Sequence, residues 1–407
     1  MKTALMIITR PFYPSDSGRK AVLRSQFEMI KGMGYEISIL ILSGSDKIFY
    51  NELEGSESDQ VKVLTPSNRH GFLARLLSFM KKFLCGYSLN EVFFWDPDVS
   101  DFLKKQRAFD LAYFDMVRSM QYSDCVEAKM MVFDFDDLLS KRYSEKGYSD
   151  NLLGYKSGSY SRVLKFTLKL VSPLILFYEA YAIRRRERRY LLTKGIKLFV
   201  SEKEVEQVRF LPNVSDIYSM PMSFPKRSAR WDPKNCRGFL FLGNLDYAPN
   251  IESLQYIVES LLPLVSKKTQ IFVIGKKNPN VESKFSNDNV IFLGFVDDIQ
   301  DAFVTSLALL APIFSGGGIK TKVIEAFSYG LPVIGSPKAF EGLNVARDIG
   351  FVANCSEDFV SYMSSAITDP VSLLGVSRNC ESYFMENFET GVVFDKFKSI
   401  IYSQSNV

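Results

Sequence analysis

The stretch SGGGIKTKVIEAFSYGLPVIGSP, residues 315–337, combines residue types that packing alone does not explain. Three consecutive glycines cost conformational entropy, and the carboxylate of Glu325 loses hydration on an otherwise apolar helix. The strand-like run LALLAPI (307–313) precedes the glycines, and the next helix is predicted to begin near Ile319. Free backbone N–H groups and the helix dipole favour an anion at such a corner. The segment therefore indicates a phosphate site, the alternative being a glycine-rich turn with solvated charges.

The helix predicted after the glycines adds further candidate ligand-binding residues to this anion site. Lys322 and Glu325 lie four and seven residues after Gly318, so the three residues are predicted to share one helix face. About 10 Å of helix rise separates Gly318 from Glu325. Phosphates at the glycines, neutralised by lysines, and a ribose diol on Glu325 together fit one nucleoside diphosphate. The predicted ligand-binding residues of this segment are Gly316, Gly317, Gly318, Lys320, Lys322 and Glu325.

Two series of alternating strands and helices must position these residues. The first opens with TALMIIT (3–9), and the second with GFLFLGN (238–244). Continuous apolar strands alternating with helices are typical of doubly wound α/β domains with parallel sheets. We expect two Rossmann-like domains, residues 1–211 and 236–384, that face each other across a cleft at the carboxyl ends of their sheets.

Two further segments complete this organisation. Residues 212–235 hold four prolines and little periodicity, which indicates a linker between the domains. Residues 385–407 are predicted to form a C-terminal helix that returns to the first domain.

Composition excludes several classes of function. The sequence contains a single histidine, His70. Ser-His-Asp hydrolysis would have to use this residue, and a metal centre rich in histidine is not possible. Five scattered cysteines without a CxxC pair favour reduced thiols and a cytoplasmic setting. A net charge of +4 is too small to indicate nucleic-acid binding. The basic, aromatic segment 160–190 is predicted either to dock on the anionic inner leaflet of a membrane or to form an ordinary surface helix.

Several segments resemble glycosyltransferases of the GT-B fold, family 4, also called the group 1 transferases. The glycine-rich segment is similar to their donor-binding segment, and FLGNLDYAPNIESLQYIVESLLPLV (241–265) to the first strand and helix of their C-terminal domain. PFYPSDSGRKAVLRSQFEMIKGMGYEISIL (11–40) and ERRYLLTKGIKLFVSEKE (187–204) resemble parts of their N-terminal domain. The resemblance implies a nucleotide-sugar substrate, no cofactor and no metal. Sugar transferases of bacterial exopolysaccharide synthesis share the GG-x-[KR]-x-K pattern.

The sequence departs from the family pattern at three positions. Family members commonly carry a Glu–seven–Glu pair here, of which Glu325 is the second member, while Gly317 stands at the first. In the corner GNLDYAPN, Asn244 and Pro249 replace an arginine and a lysine found in many members. Gly243 and Asn244 are still expected to contact the donor, and the lysines of the glycine-rich segment are expected to carry more of the diphosphate charge.

The resemblance also directs attention to FDFDD (133–137), which ends a predicted strand of the first domain. Asp136 stands where many members have a polar group near the reacting carbon, and Asp134 is expected to point to the opposite side of the strand. The alternatives are the metal-binding DxD of the other glycosyltransferase fold, or carboxylates that cap the next helix. Near the N-terminus, Gly18, Arg19 and Lys20 are predicted either to contact phosphates or an acidic acceptor, or to form a solvated basic turn.

The resulting expectation is a metal-independent, retaining transferase that moves a sugar from a nucleotide sugar to a glycan or a lipid-linked acceptor. Asp136 and Lys322 are the predicted catalytic residues. Catalysis would come from positioning and from stabilisation of the leaving diphosphate. A non-catalytic scaffold of the same fold and a nucleotide-sugar epimerase remain alternatives, the second disfavoured by the single histidine.

Overall fold

The structure, a computed structural model, describes residues 2–13, 18–42, 61–66, 70–144, 162–296, 298–316, 318–344 and 348–405, with residues 142, 144, 162–174 and 405 as backbone only. The chain forms two compact units. The first comprises Met1–Ser149, Tyr160–Met222 and Phe394–Val407, and the second comprises Ser223–Val393 with Asp150–Ser159.

The first unit is built on a seven-stranded sheet in the order β3-β2-β1-β4-β5-β6-β7. Its strands are β1 (Lys2–Ile8), β2 (Tyr35–Ile41), β3 (Val61–Leu64), β4 (Phe109–Asp115), β5 (Ala128–Asp136), β6 (Ile196–Phe199) and β7 (Ile217–Ser219). Every strand pair is parallel. The last five residues of β1 are all buried, as expected for a strand with helices on both faces of its sheet.

Eight helices lie wholly in the first unit as the structure describes it, apart from short 3-10 turns. They are α1 (Gly18–Gly32), α2 (Phe72–Leu84), α3 (Leu89–Phe93), α4 (Pro97–Leu103), α5 (Met116–Met120), α6 (Leu139–Ser144), α7 (Arg162–Leu192) and α8 (Glu202–Arg209). None of the helices in the described residues combines the length and the apolar character that crossing a bilayer requires.

The second unit is built on a six-stranded parallel sheet in the order β10-β9-β8-β11-β12-β13. Its strands are β8 (Phe239–Leu242), β9 (Ile271–Ile274), β10 (Val290–Gly294), β11 (Ala308–Ala311), β12 (Val333–Gly335) and β13 (Phe351–Val352). Its helices are α9 (Ala248–Tyr256), α10 (Pro279–Phe285), α11 (Gln300–Val304), α12 (Thr321–Ser328), α13 (Ser356–Thr368) and α14 (Leu374–Asn387). The prediction of two Rossmann-like parallel-sheet domains is confirmed.

The predicted linker 212–235 differs from what the structure shows. Its first part contains β7, which pairs with β6 through Lys197–Ile217 to Phe199–Ser219, and the two units divide after Met222. The last helix, α15 (Thr390–Ser405), contributes its part from Phe394 onward to the first unit. There Lys396 donates to Ser219 Oγ at 2.9 Å, and Gln404 donates to Asp216 Oδ1 at 2.5 Å. Prolines weaken the strand signal of this segment, which is why β7 was not predicted.

Both sheets reverse their strand order once, and that reversal fixes where polar loops gather. The chain runs outward from β1 to β3 and then returns to β4 on the other side of β1, and it does the same around β8 and β11. In open parallel sheets the loops at the carboxyl ends of the two central strands diverge at this point, which opens a crevice for ligands. The crevices therefore lie beyond Ile8 and Asp115 in the first unit, and beyond Leu242 and Ala311 in the second.

A buried ion pair holds α7 against α3 in the first unit. The fully buried Glu91 accepts hydrogen bonds from Arg186 Nε at 2.9 Å and from the hydroxyl of Tyr190 at 2.8 Å. The Arg186 guanidinium also lies 3.7 Å from the ring centre of Tyr87. Within the basic segment that was predicted to meet lipid or solvent, Arg186 therefore faces the protein interior.

We predict that Arg186→Ala lowers the free energy of unfolding by about 3–5 kcal/mol, because it leaves the carboxylate of Glu91 buried without its cation. Arg189→Ala is the matched control: Arg189 pairs with Asp124 at 2.9 Å, but both side chains are more than half exposed. The control should cost at most about 1 kcal/mol. Urea unfolding followed by circular dichroism measures both, and equal losses would contradict a structural role for the buried pair.

Candidate functional site

The carboxyl end of β8 forms a tight corner that carries two predicted donor contacts. At Gly243 a Cβ would lie 2.7 Å from Cγ of Asn250, so only glycine fits without displacing that side chain. Asn244 Oδ1 accepts a hydrogen bond from the backbone N–H of Asp246 at 2.8 Å, and its carbonyl accepts one from Asn250 Nδ2 at 3.0 Å. The Asn244 side chain therefore takes part in the hydrogen bonds of the turn. An arginine at this position would instead bring a positive charge.

The glycine-rich segment forms the facing corner, beyond β11. Gly316 and Gly318 have φ of +92° and +72°, in the left-handed region that favours glycine. Gly317 lies outside the described residues. Lys320 has an extended backbone (φ −87°, ψ 108°) and is the N-cap residue, so α12 begins at Thr321, later than predicted near Ile319. Gly318 therefore lies in the loop, and the predicted helix face is reduced to Lys322 and Glu325, with Tyr329 at its end.

The ammonium group of Lys322 connects the two corners. Its Nζ donates to the carbonyl of Leu242 at 2.5 Å and to Asn250 Oδ1 at 3.1 Å, so α12 is tied to the end of β8. Burial, together with the nearby charge of Lys320, lowers the pKa of Lys322 to about 8. The ammonium of Lys320 folds back on the glycine loop, 3.1 Å from the carbonyl of Gly316 and 2.7 Å from that of Gly318. Two cations therefore meet at the crevice of the second sheet.

Glu325 lies one turn further along α12, with its side chain 24% exposed. Its carboxylate is 3.7 Å from Arg227 Nη2, and the same guanidinium lies 5.1 Å from the ring centre of Tyr329. Burial raises the pKa of Glu325, and the charge of Arg227 opposes that rise. Sequence reasoning missed Arg227 because the residue lies in the predicted linker, far from α12 along the chain.

The crevice of the first unit contains one buried arginine among three carboxylates. The Arg19 side chain, 7% exposed, donates from Nε to Asp115 Oδ1 at 2.9 Å and from Nη2 to Asp134 Oδ2 at 3.0 Å. Its Nη1 lies 3.2 Å from Asp136 Oδ1, and Asp136 is the most exposed of the three carboxylates, at 19%. We call Arg19, Asp115, Asp134 and Asp136 the Arg19 cluster.

Hydrogen bonds from neighbouring strands complete the Arg19 cluster. Thr9 donates to Asp115 Oδ2 from its backbone N–H at 2.8 Å and from its hydroxyl at 2.5 Å, and the hydroxyl of Tyr113 donates to Asp134. Burial would raise the pKa of Asp115, but Arg19 and the bonds from Thr9 outweigh burial and lower it. For Asp134 burial prevails and raises the pKa, although Arg19 opposes it.

Two expectations about this region require correction. Asp134 does not point away from Asp136: both carboxylates contact the same guanidinium, since residues two apart on a strand share a side. The charge of Arg19 is balanced by carboxylates, so Arg19 is not a cation available to phosphates. Gly18 is the first residue of α1, and Lys20 follows on the same helix, half-exposed. A role for Gly18 or Lys20 toward phosphate or acceptor stays a prediction.

Asp136 has an unusual backbone conformation for a residue with a side chain. Its φ is +64°, and the register between β5 and β6 shifts between Asp134 and Asp136. Strained conformations of this kind persist where the surrounding structure fixes them. The backbone N–H of Asp136 donates to Asp134 Oδ1 at 2.9 Å, which holds the two carboxylates in a fixed relation.

The described residues contain no group of three or more His, Cys, Asp or Glu arranged to hold a metal ion.

A signal for the remaining member of the Arg19 cluster was present in the sequence. The strands FDLAYFD and MMVFDFD both end in aspartate. Parallel neighbouring strands bring such residues to the same sheet edge, and Asp115 and Asp134 pair directly in the register of β4 and β5. No comparable signal identified Asn250 as a partner of Lys322, because that contact spans 72 residues.

Comparison with known proteins agrees with this architecture. Residues 236–369, about a third of the chain, match the family model described as "Glycosyl transferases group 1". No curated protein sequence matches the chain.

Several solved structures are similar to the chain over nearly its whole length. HepE of Anabaena in complex with UDP has a TM-score of 0.66 at 14% identity, covering 99% of this chain and 100% of that one. Sucrose-phosphate synthase of Thermosynechococcus elongatus has a TM-score of 0.65 at 11% identity, covering 99% of both chains. WaaG, a glycosyltransferase involved in lipopolysaccharide biosynthesis, has a TM-score of 0.56 at 15% identity, covering 98% and 99%. The chain therefore has the GT-B fold, and residues 236–369 are similar to the group 1 glycosyltransferases.

Proposed function

We propose that this protein is a family 4 glycosyltransferase that moves a sugar from a nucleoside-diphosphate sugar to a glycan or lipid-linked acceptor in bacterial surface or exopolysaccharide synthesis. The observation that carries the proposal is the corner of the second sheet, where the ammonium of Lys320 lies on the glycine loop and that of Lys322, one turn before Glu325, lies at the end of β8. HepE, which shares the fold, has been solved with UDP and with UDP-glucose.

The donor diphosphate would lie against the glycine loop and the N-terminus of α12. In the described residues Lys322 donates to uncharged acceptors, a backbone carbonyl and an amide oxygen, so its positive charge is not neutralised there by a carboxylate. A diphosphate placed at the crevice would supply that counter-charge, and its charge grows as the bond to the sugar breaks. Glu325 would accept the ribose hydroxyls, and the positive charge of Arg227 opposes the burial that raises the pKa of this carboxylate.

In the first unit, Asp136 would be the polar group next to the reacting anomeric carbon. Its carboxylate is the solvent-accessible edge of the Arg19 cluster, while Asp115 and Asp134 are buried behind it. Arg19 acts as a positioning residue, because its Nη1 lies 3.2 Å from Asp136 Oδ1 and holds that carboxylate in place. We further propose retention of anomeric configuration and a reaction that needs no metal, with lysine cations in the role that a divalent ion has at a DxD site.

A non-catalytic nucleotide-sugar-binding protein is the second candidate. It is favoured by Gly317, Asn244 and Pro249, which stand where family members commonly have charged residues. Turnover separates the two candidates: release of UDP from UDP-glucose, or of another nucleoside diphosphate from its sugar, in the presence of membrane glycolipid or glycan acceptors supports the transferase. Calorimetric binding of the nucleotide without any turnover across a panel of donors and acceptors would favour the binding protein.

We predict that Glu325→Gln weakens nucleoside-diphosphate binding about tenfold or more, since a charge-assisted hydrogen bond is worth roughly 1.5–3 kcal/mol. Isothermal calorimetry with UDP measures the change. Glu381→Gln is the matched control, because Glu381 is a 35% exposed partner of Arg230 in the same unit. Unchanged UDP affinity in a folded Glu325→Gln protein would show that Glu325 does not bind the ribose.

The lowered pKa of Lys322 predicts a pH dependence of UDP affinity. Between about pH 7 and pH 8 the ammonium is mostly protonated and the terminal phosphate of UDP is ionised, so affinity changes little. Above pH about 8, binding must take up a proton, and affinity falls by up to about tenfold per pH unit. Calorimetry in two buffers of different ionisation enthalpy detects that proton uptake directly.

Two variants test whether Lys322 is the titrating group. Lys322→Arg should remove the inflection, because a guanidinium stays charged throughout this range. Lys320→Met should move the inflection to higher pH, because the charge of Lys320 contributes to lowering the pKa of Lys322. An inflection that persists in Lys322→Arg would assign the titration to another group.

We predict that Asp136→Asn lowers turnover by roughly 10²–10³-fold, the usual cost of removing one positioned electrostatic group at a reacting centre, while UDP affinity stays within about twofold. Asparagine tolerates positive φ, so the backbone of β5 is retained. Asp137→Asn is the control, since the ion pairs of Arg19 are with Asp115, Asp134 and Asp136. Steady-state kinetics that changed equally in both variants would remove Asp136 from the reaction.

A further inference from the structure

Helix α2 exposes its large apolar side chains to solvent. None of its 13 residues is buried. Phe72, Leu73, Leu77 and Leu84 are 70–79% exposed, and Leu76 and Met80 are about 45% exposed. An amphipathic helix of a globular protein normally turns such residues toward the core. Contiguous apolar patches of this kind mark interaction surfaces.

The polar side chains of α2 face the protein instead. Arg75 Nη2 donates to Asp98 Oδ2 at 2.7 Å, and Ser78 Oγ accepts a hydrogen bond from Trp95 Nε1 at 2.8 Å. The ammonium of Lys82 lies 3.6 Å from the ring centre of Trp95. The helix is therefore attached to its unit by charge and hydrogen bonds along one side, which leaves the apolar side to a partner.

A second anchor fixes where α2 begins. Asp98, nearly fully buried, also accepts a hydrogen bond from the backbone N–H of His70 at 3.2 Å and contacts His70 Nδ1 at 2.7 Å. Phe79 packs against Phe93, itself 74% exposed, with ring centres 5.9 Å apart. The outward orientation of α2 is thus specified at its start and along its length, and Phe93 extends the same apolar patch.

Cations flank this apolar surface. Phe83 of α2 contacts Tyr178 of α7 with ring centres 5.5 Å apart, and a Cβ on Gly86, just after α2, would lie 2.8 Å from Nη1 of Arg185. The exposed side of α7 continues from this contact with apolar and then basic residues at helical spacing: Phe177, Tyr181, Arg184, Arg185 and Arg188. The sequence of α2 itself, FLARLLSFMKKFL, has three basic residues and no acidic one.

We propose that α2 lies in the interface of an anionic membrane, with its outward apolar residues among the acyl chains and the exposed arginines of α7 at the lipid headgroups. Apolar residues bordered by basic ones match the layering of an anionic bilayer surface, where acyl chains underlie negative charge. A protein partner or a second copy of this chain would have to supply both an apolar groove and an acidic rim. The proposal does not depend on the transferase activity.

This assignment differs from the lipid-docking segment predicted over 160–190. In the described part of α7, Ala182 and Ile183 are buried and Arg186 faces Glu91, so this stretch of helix packs against its own unit. In the proposed membrane contact, the arginines of α7 would bind the lipid headgroups, and the apolar side of α2 would insert among the acyl chains. No prediction from the sequence covered residues 72–84.

Vesicle co-sedimentation of the full-length protein tests the proposal. We expect binding to vesicles that contain phosphatidylglycerol and much weaker binding to phosphatidylcholine alone. Leu73→Glu/Leu77→Glu should lower the partition coefficient more than tenfold, and it should not disturb folding because both side chains are exposed. Phe210→Glu is the matched control: Phe210 is 87% exposed on the same unit but lies outside α2, and its variant should bind as wild type does.

Two further measurements separate insertion from charge attraction. Tryptophan fluorescence of Leu77→Trp should be quenched by lipids brominated on their acyl chains, which requires the side chain to enter the hydrocarbon. Arg184→Gln/Arg188→Gln should weaken binding about fivefold for each arginine removed, with added salt reducing the difference.

Three outcomes would overturn the proposal. One is absence of binding to anionic vesicles by the folded wild-type protein. Another is equal binding by wild type and Leu73→Glu/Leu77→Glu. The third is a dimer in sedimentation velocity that this double variant dissociates, without any vesicle binding, since that result would assign the apolar face to a second copy of the chain.

Discussion

Parallel strand pairing is the constraint on which the rest of this structure depends. Because every strand in each described sheet runs the same way, all carboxyl ends of a sheet lie along one edge. The strand order reverses between β1 and β4 and again between β8 and β11. The diverging loops leave space at both reversals, and residues with chemistry collect there: the Arg19 cluster in one unit and Lys322 with the glycine loop in the other. The Arg19 cluster brings together residues that are far apart in the sequence, whereas Lys322 and the glycine loop belong to one short segment.

The two crevices stabilise their charges in opposite ways. In the first unit three carboxylates surround the guanidinium of Arg19 and neutralise its charge within the protein. The outermost of them, Asp136, remains accessible to solvent. In the second unit Lys320 and Lys322 donate to backbone carbonyls and an amide. Their charge is oriented but not neutralised by those contacts, and the pKa of Lys322 falls to about 8 as a result of burial and of Lys320. Under the proposed function, Asp136 would lie next to the reacting carbon and the lysine corner would bind the donor diphosphate.

Buried polar contacts also determine which surfaces remain apolar. Glu91 binds Arg186 and Tyr190 and so turns the inner side of α7 toward the protein, while Asp98 and Trp95 bind the polar side of α2. These contacts leave the leucines of α2 outside. A hydrogen bond or ion pair is directional, whereas apolar burial is not, so a few polar anchors are sufficient to orient a helix against its hydrophobic preference.

The sequence alone determined the two doubly wound domains, because continuous apolar strands and amphipathic helices report local periodicity directly. It also determined the glycine–lysine–glutamate segment, whose members lie within ten residues of one another. Tertiary structure decided the start of α12 at Thr321, the pairing of Arg227 with Glu325, the bond from Lys322 to the end of β8 and the convergence of Asp115, Asp134 and Asp136 on Arg19. Each of these features depends on the backbone conformation of a loop or on a contact between residues far apart in the chain. Loop conformations and long-range contacts leave no periodic pattern in a single sequence, so they could not be predicted from it.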